Sequence, residues 1–583
     1  MTTTCSHCGC GRRAFLRNAM GTVASTLILS GCRKSIDASD SGSDAAPNAS
    51  TSTASVRFVD RAKESGLNYK WSVAGPHPLT ILQTIGNGCA FLDFNNDGNL
   101  DILLVGPKLA LYQGDGRGNF TDVTHATGLD TFHGNFLGCA VGDYNNDGFS
   151  DLYISGYQTG LLLQNNGGRK FIDVTQQAGL PPQPWGTSCG FADLTGNGRL
   201  DLYVGNYAEF NAHTNPQLCK FVTAAHGTVL SSCGPTYYQA IKGKIYHNQG
   251  SGRFVDVTNA WGGSEQSGRT LGVAFADYDS SGRVSFALAN DETPGNLFHN
   301  VSSGRFEDVG AAAGVAHDRD GAIHGGMGID WGDYDNDGKL DLFVATFQNE
   351  AKCLYHNDGG GLFTDVSYPS GIGPAALPYV AFGAKFLDAD NDGWLDILIA
   401  NGHVQDNIDL IENARYRQPI QYFQNSGTRP ATFLDDSASV GLRALSPIVG
   451  RGIAVGDYDN DGRMDALVVN SEGAPILLHN ESVSNAHQWV GFALTGAPGI
   501  NRDAYGTEIT LHLDGLDLLR QCQTAGSYLS ASDKRVHFGL GSHVLPGQTI
   551  PHMSVRWPNG KQDQWRNVPI GRYLQLCPGR CPY

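Results

Sequence analysis

Asp333-Tyr-Asp-Asn-Asp-Gly-Lys-Leu-Asp341 places four carboxylates in nine residues and runs straight into the alternation Leu340-Asp-Leu-Phe-Val344. Positions 1, 3, 5 and 9 offer side-chain oxygens, and position 7 offers its backbone carbonyl. Such a hard-oxygen set suits Ca²⁺, which takes about 6–8 oxygens in a flexible loop, better than Mg²⁺, which demands strict octahedral geometry. Glycine at position 6 permits the left-handed backbone that wraps a chain around an ion. The loop begins like an EF-hand, but it lacks the position-12 Glu and continues with period-2 patterning. It therefore joins two strands rather than two helices.

The pattern occurs seven times, starting at Asp93, Asp143, Asp193, Asp277, Asp333, Asp388 and Asp457. The first loop offers Asp93, Asn95, Asp97 and Asp101, and the second offers Asp143, Asn145, Asp147 and Asp151. The fifth offers Asp333, Asp335, Asp337 and Asp341, and the sixth Asp388, Asp390, Asp392 and Asp396. The seventh offers Asp457, Asp459, Asp461 and Asp465. Two copies are weaker. The third keeps Asp193, Asn197 and Asp201 around Thr195, and the fourth keeps Asp277 and Asp279 but has Ser281 and Ser285 at positions 5 and 9. The expectation is about five to seven structural Ca²⁺ ions. A merely solvated acidic turn would explain one copy, but not a series at one structural position.

The net charge of −17 follows from these loops, which hold 22 of the 57 acidic residues in the 583-residue chain. The acidity is thus metal-directed. It argues against a nucleic-acid partner, which needs a basic face.

A second motif, Phe-x-Asp, alternates with the first at Phe58, Phe120, Phe171, Phe254, Phe306, Phe363 and Phe433. Between the two motifs lies an aromatic residue followed by His-Asn, as in Tyr246-His247-Asn248, Phe298-His299-Asn300 and Tyr355-His356-Asn357. Successive loops lie 50, 50, 84, 56, 55 and 69 residues apart. Four-stranded units at periods of about 50 residues read as propeller blades. The long interval holds an insertion at 206–244, and such insertions decorate one face. The chain opens with a Phe-x-Asp strand and ends its repeats, at Leu477-Leu478-His479-Asn480, without one. The fold class expected is all-β: a seven-bladed β-propeller over 56–484 whose N-terminal strand closes the last blade, leaving no open edge, plus a small β-sandwich over 485–575 and a tail at 576–583.

Gly11-Arg12-Arg13-Ala14-Phe15-Leu16 reads as a twin-arginine segment, and Leu29-Ser30-Gly31-Cys32 as a lipobox. Residues 1–32 are expected to be the signal of a bacterial Tat-exported lipoprotein, lipidated at Cys32 and anchored to the cell envelope. Residues 33–55 are a Ser-, Ala- and Thr-rich disordered tether. Cys5, Cys8 and Cys10 precede the twin arginine and are given no role. In an exported protein the pairs Cys219/Cys233 and Cys577/Cys581 are plausible disulfides. Cys89, Cys139 and Cys189 stand four residues before a loop, where other copies have Val273, Ile329, Ala384 and Ile453, and read as buried strand residues.

Past Asn480 the loops stop. Asn501-Arg502-Asp503-Ala504-Tyr505-Gly506, Gly526-Ser-Tyr-Leu-Ser530, Val536-His-Phe-Gly-Leu-Gly541 and Trp557-Pro-Asn-Gly560 separate alternating segments. These residues resemble the ASPIC/UnbV domain, and the preceding units resemble FG-GAP/VCBS repeats of the integrin α type. The combination resembles the cartilage acidic protein family in its bacterial form, over about residues 56–575. Cys233-Gly-Pro and Ala400-Asn-Gly-His-Val404 share the likeness, whereas Ala504-Tyr505 departs from it. The resemblance implies calcium-dependent extracellular binding or adhesion, with a protein or glycan ligand.

No Ser/His/Asp set, phosphate loop or zinc spacing stands out beyond residue 32, so no catalytic residue is assigned. The alternative is a polysaccharide lyase or hydrolase on a Ca²⁺-loaded propeller. Such an enzyme would draw a general base and cations from His213, His226, Tyr237, Tyr238, His403 and Arg451.

Overall fold

In the computed structural model, which describes residues 56–211, 217–483, 487–580 and 582, every acidic loop separates two antiparallel strands in one register. The residue before position 1 pairs with position 9: Leu92 with Asp101, Gly142 with Asp151, Ala192 with Asp201, Ala276 with Ser285, Gly332 with Asp341, Leu387 with Asp396 and Gly456 with Asp465. Each loop thus marks the inner hairpin of a sheet, and we number the sheets by their loops. The fifth sheet is typical: Ile329–Gly332, Asp341–Val344, Cys353–Gly359 and Leu362–Asp365 lie side by side in that order. In the second sheet one long strand, Asp151–Asn165, serves as both second and third strand and also pairs with the third sheet through Tyr157 and Trp185.

The outer Phe-x-Asp strand shows why its pattern recurs. Each Phe is buried, while the Asp carboxylate caps the turn that follows, as Asp365 does by accepting from the backbone of Ser367. Burial of one such ring contributes about 2–3 kcal/mol. The ring meets the position-2 aromatic of a neighbouring loop. Tyr144 lies 5.7 Å from Phe254, Tyr334 lies 5.7 Å from Phe433, and Tyr458 of the seventh loop lies 5.7 Å from Phe120 of the first sheet.

The seventh sheet takes its fourth strand from the start of the described chain. Phe58–Asp60 pairs antiparallel with Ile476–Asn480, Phe58 opposite Asn480. Innermost strands touch in succession, and Gly450–Gly456 of the seventh sheet touches Cys89–Leu92 of the first.

The tail contributes two more sheets. One holds Gln488–Leu494, Val536–Gly541 and Tyr573–Leu576; the other holds Glu508–Leu513, Leu516–Gln521, Ile550–Arg556 and Gln562–Val568. Phe492, Ile509, Leu511, Phe538, Met553 and Trp557 share one core cluster.

The tail is not simply packed alongside. Its segment Ala525–Ala531 runs among the innermost strands of all seven sheets. Ala531 pairs with Ala90, Leu529 O accepts from Cys139 N at 3.1 Å, and Ser188 Oγ accepts from Leu529 N at 2.9 Å. Ser527 exchanges hydrogen bonds with Ile329, and its Oγ accepts from Ile453 N at 3.2 Å. Ala525–Gly526 touches Thr270–Ala276, and Tyr528 stacks edge-on to Phe382 at 4.9 Å. Glycine makes room: a Cβ on Gly88 would stand 1.8 Å from Leu529 O, and one on Gly452 2.2 Å from Ser530 Oγ.

Cys219 and Cys233 are joined by a disulfide across the hairpin Leu218–Thr223 and Gly227–Ser232. Cys581, Cys32, His213, the twin-arginine segment and the tether lie outside the described residues. Among the described residues no helix is long and apolar enough to cross a membrane.

Candidate metal centres

Each loop is built from inside its own backbone. In the sixth, Asp388 Oδ1 accepts from Asp392 N at 3.1 Å and Asp388 Oδ2 from Gly393 N at 2.9 Å, so position 1 organises positions 5 and 6. Position 9 ties loop to sheet: Asp396 Oδ2 accepts from Ala389 N at 3.2 Å and Asp396 Oδ1 from Asn425 N at 2.8 Å. The first, third and seventh loops repeat this with Asp93 and Asp101, Asp193 and Asp201, and Asp457 and Asp465.

Position 4 also matters. Asn96, Asn146, Asn336, Asn391 and Asn460 all take φ between +56° and +61°, the left-handed region that Asn tolerates better than other non-glycine residues. Their side chains link one loop to the next. Asn96 donates to Gly148 O at 2.7 Å, Asn146 to Gly198 O at 3.0 Å, Asn336 to Gly393 O at 3.2 Å and Asn391 to Gly462 O at 2.9 Å.

The carboxylates converge without adequate internal compensation. In the fifth loop Asp333, Asp335 and Asp337 can hold one cation between them, as can Asp388, Asp390 and Asp392 in the sixth and Asp457, Asp459 and Asp465 in the seventh. Burial first, then neighbouring carboxylates, pushes the Asp392 pKa up to about 10, while burial takes Asp465 up to about 8 and Asp388 to about 7. In the first and second loops, where Asn95 and Asn145 replace a carboxylate, burial still takes Asp101 up to about 8 and Asp151 to about 9. Oxygens of three of these aspartates, Asp151 Oδ2, Asp333 Oδ1 and Asp459 Oδ1, are buried without a hydrogen-bond partner. A buried, unpartnered carboxylate oxygen is costly unless a cation meets it, so the residues fit a bound cation.

In the third and fourth loops other polar groups stand beside the remaining carboxylates. Asp277 of the fourth is met by the guanidinium of Arg556, which also lies 2.6 Å from Glu508. A tail side chain thus brings positive charge to the loop that lost its position-9 carboxylate. In the third loop Thr195 Oγ1 is buried without a partner, and His247 Nδ1 lies 2.8 Å from Asp201.

The histidines of the His-Asn motif, read from sequence only as strand markers, reach the loops. His356 Nδ1 lies 3.3 Å from Asp341 Oδ1 and 3.5 Å from Asp335 Oδ2, and His479 Nδ1 lies 3.2 Å from Asp465 Oδ1. Each belongs to a group that can hold a cation, with Asp335 and Asp341 or with Asp459 and Asp461. The available signal was a similar distance from position 9, fifteen residues to His356 and fourteen to His479.

The tail lies against the loops. Asp503 Oδ2 accepts from Asp143 N at 2.6 Å, Arg520 donates to Gly393 O at 3.1 Å, and Arg535 donates to Asp457 O at 2.6 Å. Tyr505, at the sequence departure noted above, is buried and donates to Val141 O at 3.1 Å.

Among the described residues the alternative catalytic candidates do not assemble into one site. His403 and Arg451 are fully buried, with Arg451 donating to His403 O at 3.1 Å, and burial pushes the His403 pKa down to about 3. His226 and Tyr237 are exposed on the disulfide hairpin and just beyond it, and Tyr238 is buried.

Comparison with known proteins agrees with the motifs. Residues 497–581 match the ASPIC and UnbV family, and residues 93–154, 143–204 and 333–399 match the FG-GAP-like repeat. Cartilage acidic protein 1 of Mus musculus is 24% identical over 401 residues, covering 67% of this chain and 54% of that protein. The Homo sapiens protein is 24% identical over 397 residues, covering 66% and 52%. The chain spans about half the length of the curated relatives it matches. An Agrocybe aegerita lectin solved for recognition of non-reducing terminal N-acetylglucosamine is 16% identical, covering 67% of this chain and 87% of the lectin at a TM-score of 0.37. Saccharomyces cerevisiae Sqt1 is 9% identical, covering 74% and 99% at 0.36. Neither structural likeness carries an argument.

The curated relatives are vertebrate, including one from Xenopus tropicalis, and this corrects three expectations together: the bacterial form of the family, the Tat-exported lipoprotein, and lipid anchoring to a bacterial envelope. The Arg12-Arg13 and Cys32 signals are meaningful only to bacterial export and lipidation machinery, which the vertebrate relatives give no reason to invoke. The chain is similar in sequence to cartilage acidic protein 1 and carries matches to both the FG-GAP-like repeat and the ASPIC and UnbV family.

Proposed function

We propose that this chain is an extracellular binding module, for a protein or glycan ligand, whose acidic loops hold structural Ca²⁺. In this reading the seven sheets over 56–484 are blades of a seven-bladed propeller closed by the Phe58 strand, and the ASPIC/UnbV-like tail over 485–575 sits on its loop face. Contacts between successive innermost strands and the pairing of Phe58 with Asn480 support the ring.

The ligand sets would be those read from the sequence in the first, second, fifth, sixth and seventh loops, with a poorer set at Asp193, Asn197 and Asp201. The all-oxygen chemistry favours Ca²⁺ over transition metals. Bound Ca²⁺ would supply charge neutralisation and cross-linking of each inner hairpin. The carrying observation is that the tail lands on the loops themselves, at Asp143, Asp277, Gly393 and Asp457. Filling the loops would therefore set the platform on which the tail rests. The name of the vertebrate relatives, cartilage acidic protein, supports an extracellular setting.

The test is a glycan and extracellular-protein array probed with the full chain in Ca²⁺ and again in chelator. Retention in Ca²⁺ that is lost in chelator is expected. Binding indifferent to chelation, or none across both arrays, would overturn the reading.

A further inference from the structure

On the end of the sheets opposite the acidic loops, a cavity of about 330 Å³ opens beneath the disulfide hairpin. The hairpin forms a two-stranded sheet of its own, inserted between the second and third strands of the third sheet, yet it is fastened to the segment after the second strand of the sixth. Ser231 Oγ donates to Asn407 Oδ1 at 2.6 Å, Asn407 Nδ2 to Leu230 O at 2.8 Å and Gln405 Nε2 to Ser232 O at 3.1 Å. It therefore spans the cavity as a fixed roof. Exposed Lys220 and Tyr237 stand at its edge.

The floor and walls are apolar, formed by Ile85, Leu271, Met327, Phe347 and Phe382. Two carboxylates, Asp291 and Glu292, interrupt this lining. Tyr207 holds Asp291 in place by donating to Oδ2 at 2.5 Å. Arg269, the nearest guanidinium, places Nη1 on the backbone carbonyls of Asp291 and Glu292, at 3.3 and 3.0 Å, and not on a carboxylate. Arg451, behind Phe382, uses its donors on the carbonyls of Thr84, Gly402, Gly450 and His403 and has none to offer the cavity. Glu350 faces His324. Among the described residues of the lining, Lys220 at the rim is the one basic side chain, against two acids. Burial, with the charges of Glu292 and Glu350, pushes the Asp291 pKa up to about 7, against the opposing pull of the Tyr207 hydrogen bond and the Arg269 charge. Arg269 and Glu292 also take left-handed backbone, with φ of +51° and +54°, a strain that collects at binding sites.

We propose that this cavity binds a small organic cation, a compact apolar or aromatic body carrying a primary ammonium, with the body against Phe347, Met327 and Phe382 and the ammonium on Asp291. The volume suits a ligand of this size, and apolar walls with a few placed polar or charged groups are the common form of such sites. The site is independent of whether the acidic loops hold Ca²⁺.

The test uses the full chain in Ca²⁺ and three amines, tryptamine, phenethylamine and cyclohexylmethylamine, with indole-3-acetate as the acid carrying the tryptamine body. Binding is read by calorimetry and by saturation-transfer NMR. At least one amine should bind and indole-3-acetate should not. Asp291→Asn, which keeps an acceptor for Tyr207, should weaken the amine by about tenfold or more, the scale of one charged contact. Met327→Trp should fill the cavity and abolish binding while circular dichroism stays unchanged. If Met327→Trp misfolds, Asp291→Asn decides alone. Failure of all three amines, equal binding of the acid, or indifference to Asp291→Asn would overturn the proposal.

Discussion

Tyr573 donates its phenolic hydrogen to Oδ2 of Asp457 across 2.9 Å, fastening the last strand of the tail to the first aspartate of the seventh acidic loop. Loop and tail should therefore respond together when divalent cations are withdrawn. Chelation should lower the melting temperature of the whole chain, with the tail tryptophans Trp489, Trp557 and Trp565 changing fluorescence in the same transition as the strand signal in circular dichroism. Tyr573→Phe should weaken the junction by about 1 kcal/mol, the worth of one hydrogen bond, and should separate the two signals slightly.

The pH dependence of the metal-free protein follows from the raised carboxyl groups. Burial holds Asp101, Asp151 and Asp465 at about 8, 9 and 8, above the unfolded value near 4. The folded state then binds more protons than the unfolded one. Its stability is fullest below about pH 4 as far as these groups are concerned, and is lost progressively up to about pH 9. A bound cation takes the place of those protons. The rise in melting temperature on adding Ca²⁺ should therefore be larger at pH 8 than at pH 5, as thermal unfolding across that range will measure.

Arg556 stands between Asp277 and Glu508, both buried. Arg556→Met should leave two buried carboxylates without their cation and cost about 3 kcal/mol in urea unfolding. Calcium stoichiometry by equilibrium dialysis should be unchanged, because Ser281 and Ser285 have already removed two ligands from that loop.

Tyr528 is fully buried, between Phe382 and the carbonyl of Ile85, to which it donates at 2.7 Å. Tyr528→Ala should open a cavity where the seven innermost strands meet and destabilise the protein by about 4 kcal/mol. Tyr528→Phe should lose about 1 kcal/mol, the hydrogen bond alone.

Much of this arrangement was legible because it is local. A nine-residue loop whose ends pair, as Gly332 pairs with Asp341, carries its geometry in its own spacing. The Phe58 strand could be assigned to the end of the repeats because the two motifs are offset at both ends. What could not be read depends on neighbours that are remote in sequence. Asn391 looks like filler between two aspartates until Gly462, 71 residues on, presents its carbonyl. His356 looks like a strand marker until the pleat turns its ring toward Asp341. Gly526-Ser-Tyr-Leu-Ser530 reads as a turn of the tail, and only the glycines at 88 and 452 hint that something must pass close by. The N-terminal signals failed for a different reason: short motifs carry no packing constraint, so nothing in their surroundings checked them.

The segment Ala525–Ala531 also has a temporal consequence. Cys89 waits for Ser530, 441 residues later, and Phe58 waits for Asn480. A chain emerging from the ribosome must carry its first hairpins with unfilled inner faces until the segment Ala525–Ala531 is made. Contacts of such long range make folding slow. They also leave strand edges open to wrong partners in the meantime. The strand at Phe58, the sheets that follow it and the segment Ala525–Ala531 mature together, so a chain cut before residue 525 would yield not a smaller working domain but an unfinished one.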